Sequence, residues 1–453
     1  MTGSSTAERD EARTDEASDQ PRSGRGLHGD ERRRLAVLGL PTFGMALAIT
    51  VVSSYLPVVA ADVSSSTTVI GLVIGGEGIM ALWLPLITGS WSDRLQTPIG
   101  RRLPFVLAGT PLMVFGLVLM GLTQSLAALA IVVAAFYVGY FVAYEPYRAL
   151  YPDLLADEVA GRAQGNQAVW RGVGTGIALV SGGLLLSLGS FAPFGAAAAV
   201  LMLSIGAFAL LLLRQDLRRT QREPPGDGVV EVARRILSLL REHGALRAYV
   251  AANALWELSL GALKTFIVLY VTKGLGFSLS SAALIIGAVA VVIFGGALAS
   301  GRLADRVGRL RVLRVGLWVY GIALFVPALT SSSIPLIAAV PIVAFGGGMI
   351  MALPYAVLMP LMPEGEHGAV TGIYSLSRGI GMTAGPVLGG AAIQILGPSL
   401  FESTAGYGAM WIVVAGGILV SIPLLGSLRD EQEDRRELRE EDGDGAAPSP
   451  RSR

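Results

Sequence analysis

Twelve apolar runs organise this chain, each near the roughly 20 residues a helix needs to cross about 30 Å of hydrocarbon. They occupy residues 35–58, 67–91, 103–122, 126–152, 163–188, 193–213, 247–272, 279–301, 310–329, 334–361, 369–396 and 404–427. None alternates polar and apolar positions as a barrel strand does, so each predicts a helix. Short polar or turn-forming pieces separate them, such as residues 64–68, 123–125, 330–333 and 396–399. The pattern predicts an all-α integral membrane protein of twelve transmembrane helices in two six-helix bundles.

The polar positions are concentrated outside these runs. Residues 1–34 and 428–453 are densely charged and nearly free of large apolar side chains, so both tails are expected to be disordered. No apolar core follows a short basic region at the start, so no signal peptide is expected there. Residues 214–246 form the only long internal polar stretch. Within it Pro224-Pro225-Gly226 breaks any helix, and residues 229–240 read as a short amphipathic segment on the inner membrane surface. This linker divides a first half, 35–213, from a second, 247–427.

Composition sharpens the membrane reading and removes several functions. Only 15% of residues are charged, against about 25% in ordinary soluble domains, while Gly supplies 58 of 453, as helices packed backbone to backbone require. A net charge of +1 gives no reason to expect a nucleic-acid partner. With no cysteine there is no disulfide or thiolate metal site, and His28, His243 and His367 are far apart, so no metal or cofactor is expected. No phosphate-binding loop of the G-x-x-x-x-G-K-[ST] type is present, so a pump driven by ATP within this chain is not expected and neither is an enzyme. The partners expected are membrane lipid, a small solute and an ion gradient, with the chain a monomer.

The basic residues set an orientation. All but Lys264 and Lys273 are arginines. With the N-terminus inside, the inner segments hold Arg32–Arg34, Arg94, Arg101, Arg102, Arg162, Arg214, Arg218, Arg219, Arg302, Arg306, Arg309, Arg311 and Arg429, and the outer loops hold only Lys273. Positive loops stay cytoplasmic, which predicts a plasma-membrane protein with both termini inside.

The two halves repeat each other. Gly89-x-x-x-Asp93-Arg94 recurs 212 residues later as Gly301-x-x-x-Asp305-Arg306. Pro146-Tyr147 with Pro152 recurs 208 later as Pro354-Tyr355 with Pro360. Arg171-Gly172-x-Gly174 and Gly182-Gly183 recur 207 later as Arg378-Gly379-x-Gly381 and Gly389-Gly390. Six spans per half is an even number, so the repeats are parallel, as in a rocking transporter with its site between halves. On these motifs the chain resembles the major facilitator superfamily over about residues 35–427. The first loop departs from the usual pattern: Asp93-Arg94 is separated from Gly100-Arg101-Arg102 by Leu-Gln-Thr-Pro-Ile. That form, ending Gly-Arg-Arg-x-Pro104-Phe105, and the segment Pro146-Tyr147-Arg148-Ala149-Leu150-x-Pro152-Asp153-Leu154 resemble the sucrose-transporter-like branch and its glycoside–cation symporter relatives.

Ionisable groups at membrane depth are expensive and mark function. The candidates are Glu77 in the second span, Glu145 and Arg148 in the fourth, and Glu257 and Lys264 in the seventh. The resemblance implies a central cavity lined by spans one, four, seven and ten, and places an arginine like Arg148 in a sugar site. Glu145 and Arg148 share a helical face with Tyr137, Tyr140 and Tyr144, and aromatic rings beside charged groups suit a sugar. An internal Glu–Arg pair with packing tyrosines is the alternative. Asn253, Trp256 and Glu257 complete the expected substrate site, while Glu77, Glu145 and Glu257 are the candidates for carrying protons. The glycine-rich run Gly381-x-x-x-Gly385-Pro386-x-x-Gly389-Gly390 reads as close helix packing around a proline bend.

Asp93, Arg94, Arg101, Arg102, Asp305, Arg306, Arg309, Arg171 and Arg378 are the expected gating set. In the superfamily span two packs on eleven and span eight on five, so Asp93–Arg378 and Asp305–Arg171 would be symmetric clasps that close the inner side when the protein faces outward. Alternatively, each aspartate pairs within its own loop, with Arg101, Arg102 or Arg309. The expected function is proton-coupled uptake of a sugar or glycoside by alternating access. Export of drugs or amphipathic metabolites is the alternative, and a non-transporting receptor on a transporter fold the alternative of another class.

Overall fold

The computed structural model describes residues 29–154, 160–214, 229–363 and 370–428. The expected tail disorder at 1–28 and 429–453, the Pro224-Pro225-Gly226 break, His28 and His367 lie outside them. Among the described residues, twelve helices are long and apolar enough to span a membrane. In chain order, spans one to six are Leu35–Val63, Thr67–Arg94, Leu103–Met120, Leu126–Tyr151, Gly165–Leu186 and Phe191–Leu212. Spans seven to twelve are Gly244–Gly274, Leu279–Val307, Arg309–Leu329, Ser333–Ala352, Gly372–Leu400 and Tyr407–Leu428. Large apolar side chains such as Ile131, Leu188, Val291 and Ile334 point outward, where a soluble protein would carry charge and a bilayer supplies the missing apolar neighbour.

Three boundaries differ from the hydrophobic pattern, each for a local reason. Span ten stops at Ala352, not residue 361, because Pro354 cannot donate a hydrogen bond to the carbonyl four residues back. A short helix Pro354–Leu358 follows the break. Spans two and eight run on through the Gly-x-x-x-Asp-Arg segments that the sequence suggested as loops. Asp93-Arg94 and Asp305-Arg306 therefore form the last helical turns, and Gly308, with φ 102°, ends span eight.

The repeat is kept in atomic detail. Ser66 caps span two by accepting from the Val69 amide, and Ser278, 212 residues on, caps span eight by accepting from Ser281. Span two packs on span eleven and span eight on span five, as expected. At the first contact a Cβ on Gly390 would strike the Thr67 carbonyl, and at the second a Cβ on Gly183 would lie 3.0 Å from the Leu279 carbonyl. These are the same contact made twice, since Thr67 and Leu279 are 212 apart and Gly183 and Gly390 are 207 apart. Only glycine lets the backbones approach this closely.

All of these contacts lie at mid-depth or at the end away from the Arg-rich loops. Gly71 meets Pro386 and Gly78 meets Gly379, while the Thr67 hydroxyl donates to the Gly390 carbonyl at 2.7 Å. In the last turns of spans one and seven, Lys273 lies 3.8 Å from Asp62. At the basic end nothing stands within 4 Å of a Cβ built on Gly89 or Gly301. The two halves are sealed at one end and parted at the other.

The expected amphipathic segment is a helix, Val229–Glu242, that leads directly into span seven. It buries Ile236 and Leu239, and the tip of Ile236 rests on Gly372 at the start of span eleven.

Candidate functional site

Span eleven carries the centre of the site. The Arg378 guanidinium lies 3.8 Å from Glu77 Oε1 on span two and 3.9 Å from Glu257 Oε2 on span seven. One cation thus faces two carboxylates, one from each half of the molecule. The Tyr374 hydroxyl, one turn before Arg378, donates to Glu257 Oε1 at 3.4 Å. Asn253, one turn before Glu257, donates to Ser377 Oγ at 2.7 Å. Glu77 Oε2 and Asn253 Oδ1 are buried without a hydrogen-bond partner. Gly381 makes this convergence possible, because a Cβ there would enter the Ala254 carbonyl and crowd Glu257.

Span four supplies the opposite wall. Tyr140 and Tyr144 stack with centroids 5.0 Å apart at 18°. Arg148 lies 3.5 Å from Glu145 and 5.7 Å from the Tyr144 ring centroid. Arg171 of span five donates to the Tyr144 hydroxyl and also stands 5.7 Å from its ring. Arg148 and Arg378 keep about two fifths of their side chains exposed, at 37% and 38%, so the guanidiniums line a space open to solvent. Span four is tied to span two, which carries Glu77, by the Tyr137 hydroxyl donating to the Ile74 carbonyl at 3.2 Å.

The expected members are thus brought together in part. Glu77 and Glu257 meet at Arg378, and Glu145, Arg148, Tyr140 and Tyr144 form a second group on span four. Asn253 is fully buried behind Ser377 rather than facing the cavity. Trp256 does not belong to this wall: it is fully buried, and its Nε1 donates to Ser421 of span twelve at 2.7 Å. The reason is helical geometry, since adjacent residues diverge by about 100° and Glu257 takes the inward direction. Tyr137 is likewise core, its hydroxyl donating to the Ile74 carbonyl at 3.2 Å. Tyr147 and Tyr151 tie span four to the Leu38 carbonyl of span one.

The symmetric clasps are not formed in this structure. Asp93 pairs with Arg102 at 3.3 Å, the local alternative, and Arg378 is held deeper by the two glutamates. An aspartate in the last turn sits at the negative end of the helix dipole, so a cation at the start of the next span stabilises it best. Asp305 and Arg171 do not meet: Arg171 turns to Tyr144, and Arg309 donates to the Ala356 carbonyl at 3.2 Å. Arg101 and Arg102 are buried, while Arg94 and Arg306 are exposed in the last turns of spans two and eight. Sequence reasoning missed Tyr374 and Ser377. Tyr374 had a signal in its spacing, four residues before Arg378 and on the same face, whereas Ser377, next to Arg378, is turned about 100° from it and had none.

Comparison with known proteins agrees with this architecture. The family model described as the Major Facilitator Superfamily matches residues 38–309 and, again, 252–452. The riboflavin transporter RibZ of Clostridioides difficile is 30% identical over 118 residues, 26% of this chain and 26% of that protein. A probable actinorhodin transporter of Streptomyces coelicolor is 28% identical over 236 residues, 49% of this chain and 39% of that protein. The alignments therefore span well under half the length of these curated relatives. A bacterial homologue of the human lysosomal transporter Spinster, in an inward-facing, unoccupied conformation, superposes with a TM-score of 0.72 at 17% identity, covering 90% of this chain and 99% of that one. The nucleoside transporter NupG, as a D323A mutant, gives 0.71 at 13% identity, over 87% and 99%. At these identities the likeness is one of fold.

Proposed function

Because the chain belongs to the Major Facilitator Superfamily, a family of membrane transporters and not of enzymes, we propose that it carries a sugar or glycoside across the plasma membrane by alternating access, coupled to protons and directed inward. The observation that carries the coupling is Arg378 between Glu77 and Glu257. One guanidinium against two carboxylates leaves one negative charge in excess at membrane depth, where an uncompensated charge costs at least a few kcal/mol. A proton on one carboxylate balances it, and the unpartnered Glu77 Oε2 is a place for that proton. Glu77 and Arg378 belong to opposite halves, so opening the sealed end pulls them apart. Protonation of Glu77 removes the attraction that resists this movement. A proton taken up by Glu77 in the outward-open state is given up on the cytoplasmic side as Glu77 meets Arg378, which carries it inward.

The stacked Tyr140 and Tyr144 beside guanidiniums support a hydroxylated solute, with a ring face for its C–H surface and N–H donors for its hydroxyls. The excess of arginine in the loops supports a basic end in the cytoplasm, which makes the described state inward-facing. A second reading is export of an aromatic metabolite, favoured by relatives named for riboflavin and actinorhodin. Uptake of radiolabelled sugars into proteoliposomes, with and without an inward proton gradient, tests the first reading. Gradient-driven accumulation that Glu77→Gln abolishes supports it. Movement of aromatic solutes against the proton gradient, with no sugar uptake, selects the second.

A further inference from the structure

Arg171 and Arg378 occupy equivalent positions, 207 residues apart in the repeat. Their surroundings are opposite in charge. Arg378 has a carboxylate from each half, whereas the partner of Arg171 among the described residues is the neutral Tyr144, through its hydroxyl and ring. The repeat explains the difference. Residues 71–78, Gly-Leu-Val-Ile-Gly-Gly-Glu-Gly, align with 283–290, Ala-Leu-Ile-Ile-Gly-Ala-Val-Ala, so the counterpart of Glu77 is Val289. Span one, the counterpart of span seven, has no acidic residue between Leu35 and Ala61, so Glu257 has no counterpart either. Both acids that would hold Arg171 are missing from the places where the fold would put them.

A guanidinium cannot discharge by losing its proton, so Arg171 stays positive in the cavity. Arg148, 5.7 Å from the same Tyr144 ring, is compensated by Glu145 at 3.5 Å, which leaves Arg171 as the uncompensated donor on this wall. We propose that Arg171, with Arg148 and Tyr144 beside it, is the seat for a carboxylate of the transported solute. The substrate is then an organic acid with a ring or hydroxylated body, such as a sugar acid or acidic glycoside, and not a neutral sugar. The carboxylate supplies to Arg171 what Glu77 and Glu257 supply to Arg378. A planar guanidinium takes a carboxylate through two parallel N–H···O bonds, and the Tyr140–Tyr144 stack receives the body attached to it. The proposal rests on the transport reading and narrows its substrate class.

Matched pairs that differ in one charge test it. Purified full-length protein is melted with millimolar glucuronate against glucose, and with 4-hydroxybenzoate against 4-hydroxybenzamide. The expected result is a rise in melting temperature for at least one acid that its uncharged counterpart does not produce, because a ligand stabilises the state it binds. Arg171→Gln should weaken that binding by about tenfold or more, while Arg171→Lys, which keeps the charge but not the fork, should retain part of it. The proposal is overturned if no acid outperforms its counterpart, or if Arg171→Gln keeps the acid-specific shift while Arg171→Lys melts as the wild type does. Proteoliposome uptake separates the two readings: neutral sugar carried equally by wild type and Arg171→Gln would leave transport standing and remove the carboxylate seat.

Discussion

The two ends of this molecule are built from the same repeat and behave differently. At the sealed end, Gly71 and Gly390 lie directly against facing backbone, and Gly183 lies against the Leu279 carbonyl and the Ala283 methyl. At the basic end the equivalent small positions, Gly89 and Gly301, face open space. What distinguishes the ends is therefore contact and not composition. Glycine is a requirement where backbones touch and a provision where they have yet to touch. The seal is steric and stiff, whereas at the basic end Asp93 is held within its own half by Arg102.

The largest expected effect comes from wedging the stiff end. Gly390→Leu would drive a side chain into the Thr67 backbone, which cannot rotate away, and overpacking of this kind costs about 1–3 kcal/mol or more. Transport should be lost, and spin labels across the basic end should move closer as the population shifts toward the opposite state. Unchanged distances with normal transport would show that the seal plays no part in the cycle. Because the chain has no cysteine, every introduced thiol label reports from a single place.

Next in size are the carboxylates at mid-depth, where the seal meets the cavity. Glu77→Gln should abolish proton-driven accumulation and keep substrate exchange, since it removes the charge that ties the halves together through Arg378. Glu257→Gln should have the smaller effect on conformation, because its partners Arg378 and Tyr374 lie in its own half. Equal conformational effects for the two variants would contradict that ranking.

At the open end, Gly89→Ala and Gly301→Ala should leave melting within about 0.5 kcal/mol of the wild type, as substitutions without a neighbour do. Turnover should nevertheless fall, because these positions must approach the opposite half when this end closes. A drop in stability with normal turnover would reverse the assignment. The smallest effect is expected from exchanging Asp62 and Lys273. Asp62 is 72% exposed, so the pair contributes at most about 1 kcal/mol and should respond to salt more than any change above.

The order of the helices was legible in the sequence because lipid demands long uninterrupted apolar runs, and the repeat motifs marked equivalent places. Partnerships were less legible. Glu77, Glu257 and Arg378 were each conspicuous as charges, yet nothing local says that Arg378 pairs with residues 301 and 121 positions before it. Symmetry suggested Asp93 for Arg378 when the carrier faces outward; in the described state the nearby Arg102 holds that aspartate instead. Trp256 shows the reverse error: beside Glu257 in sequence, it is directed away from it by a helical rotation that places it against span twelve. The break in span ten was signalled by Pro354 and hidden by the apolar residues on either side.

The inventory of charge in the core also has an electrical consequence. Arg148, Arg171 and Arg378 stand against Glu145, Glu77 and Glu257, three positive groups to three negative. With every carboxylate ionised the empty core is neutral, and the proton that Glu77 takes up leaves it one unit positive. A membrane potential acts on such a charge with about 2.3 kcal/mol per 100 mV if the whole field falls across its path. An inside-negative potential would then pull the protonated carrier toward exposure to the cytoplasm. A bound carboxylate would cancel the charge and release the carrier from the field, so that voltage would act on a crossing made with the proton alone and not on the fully loaded one.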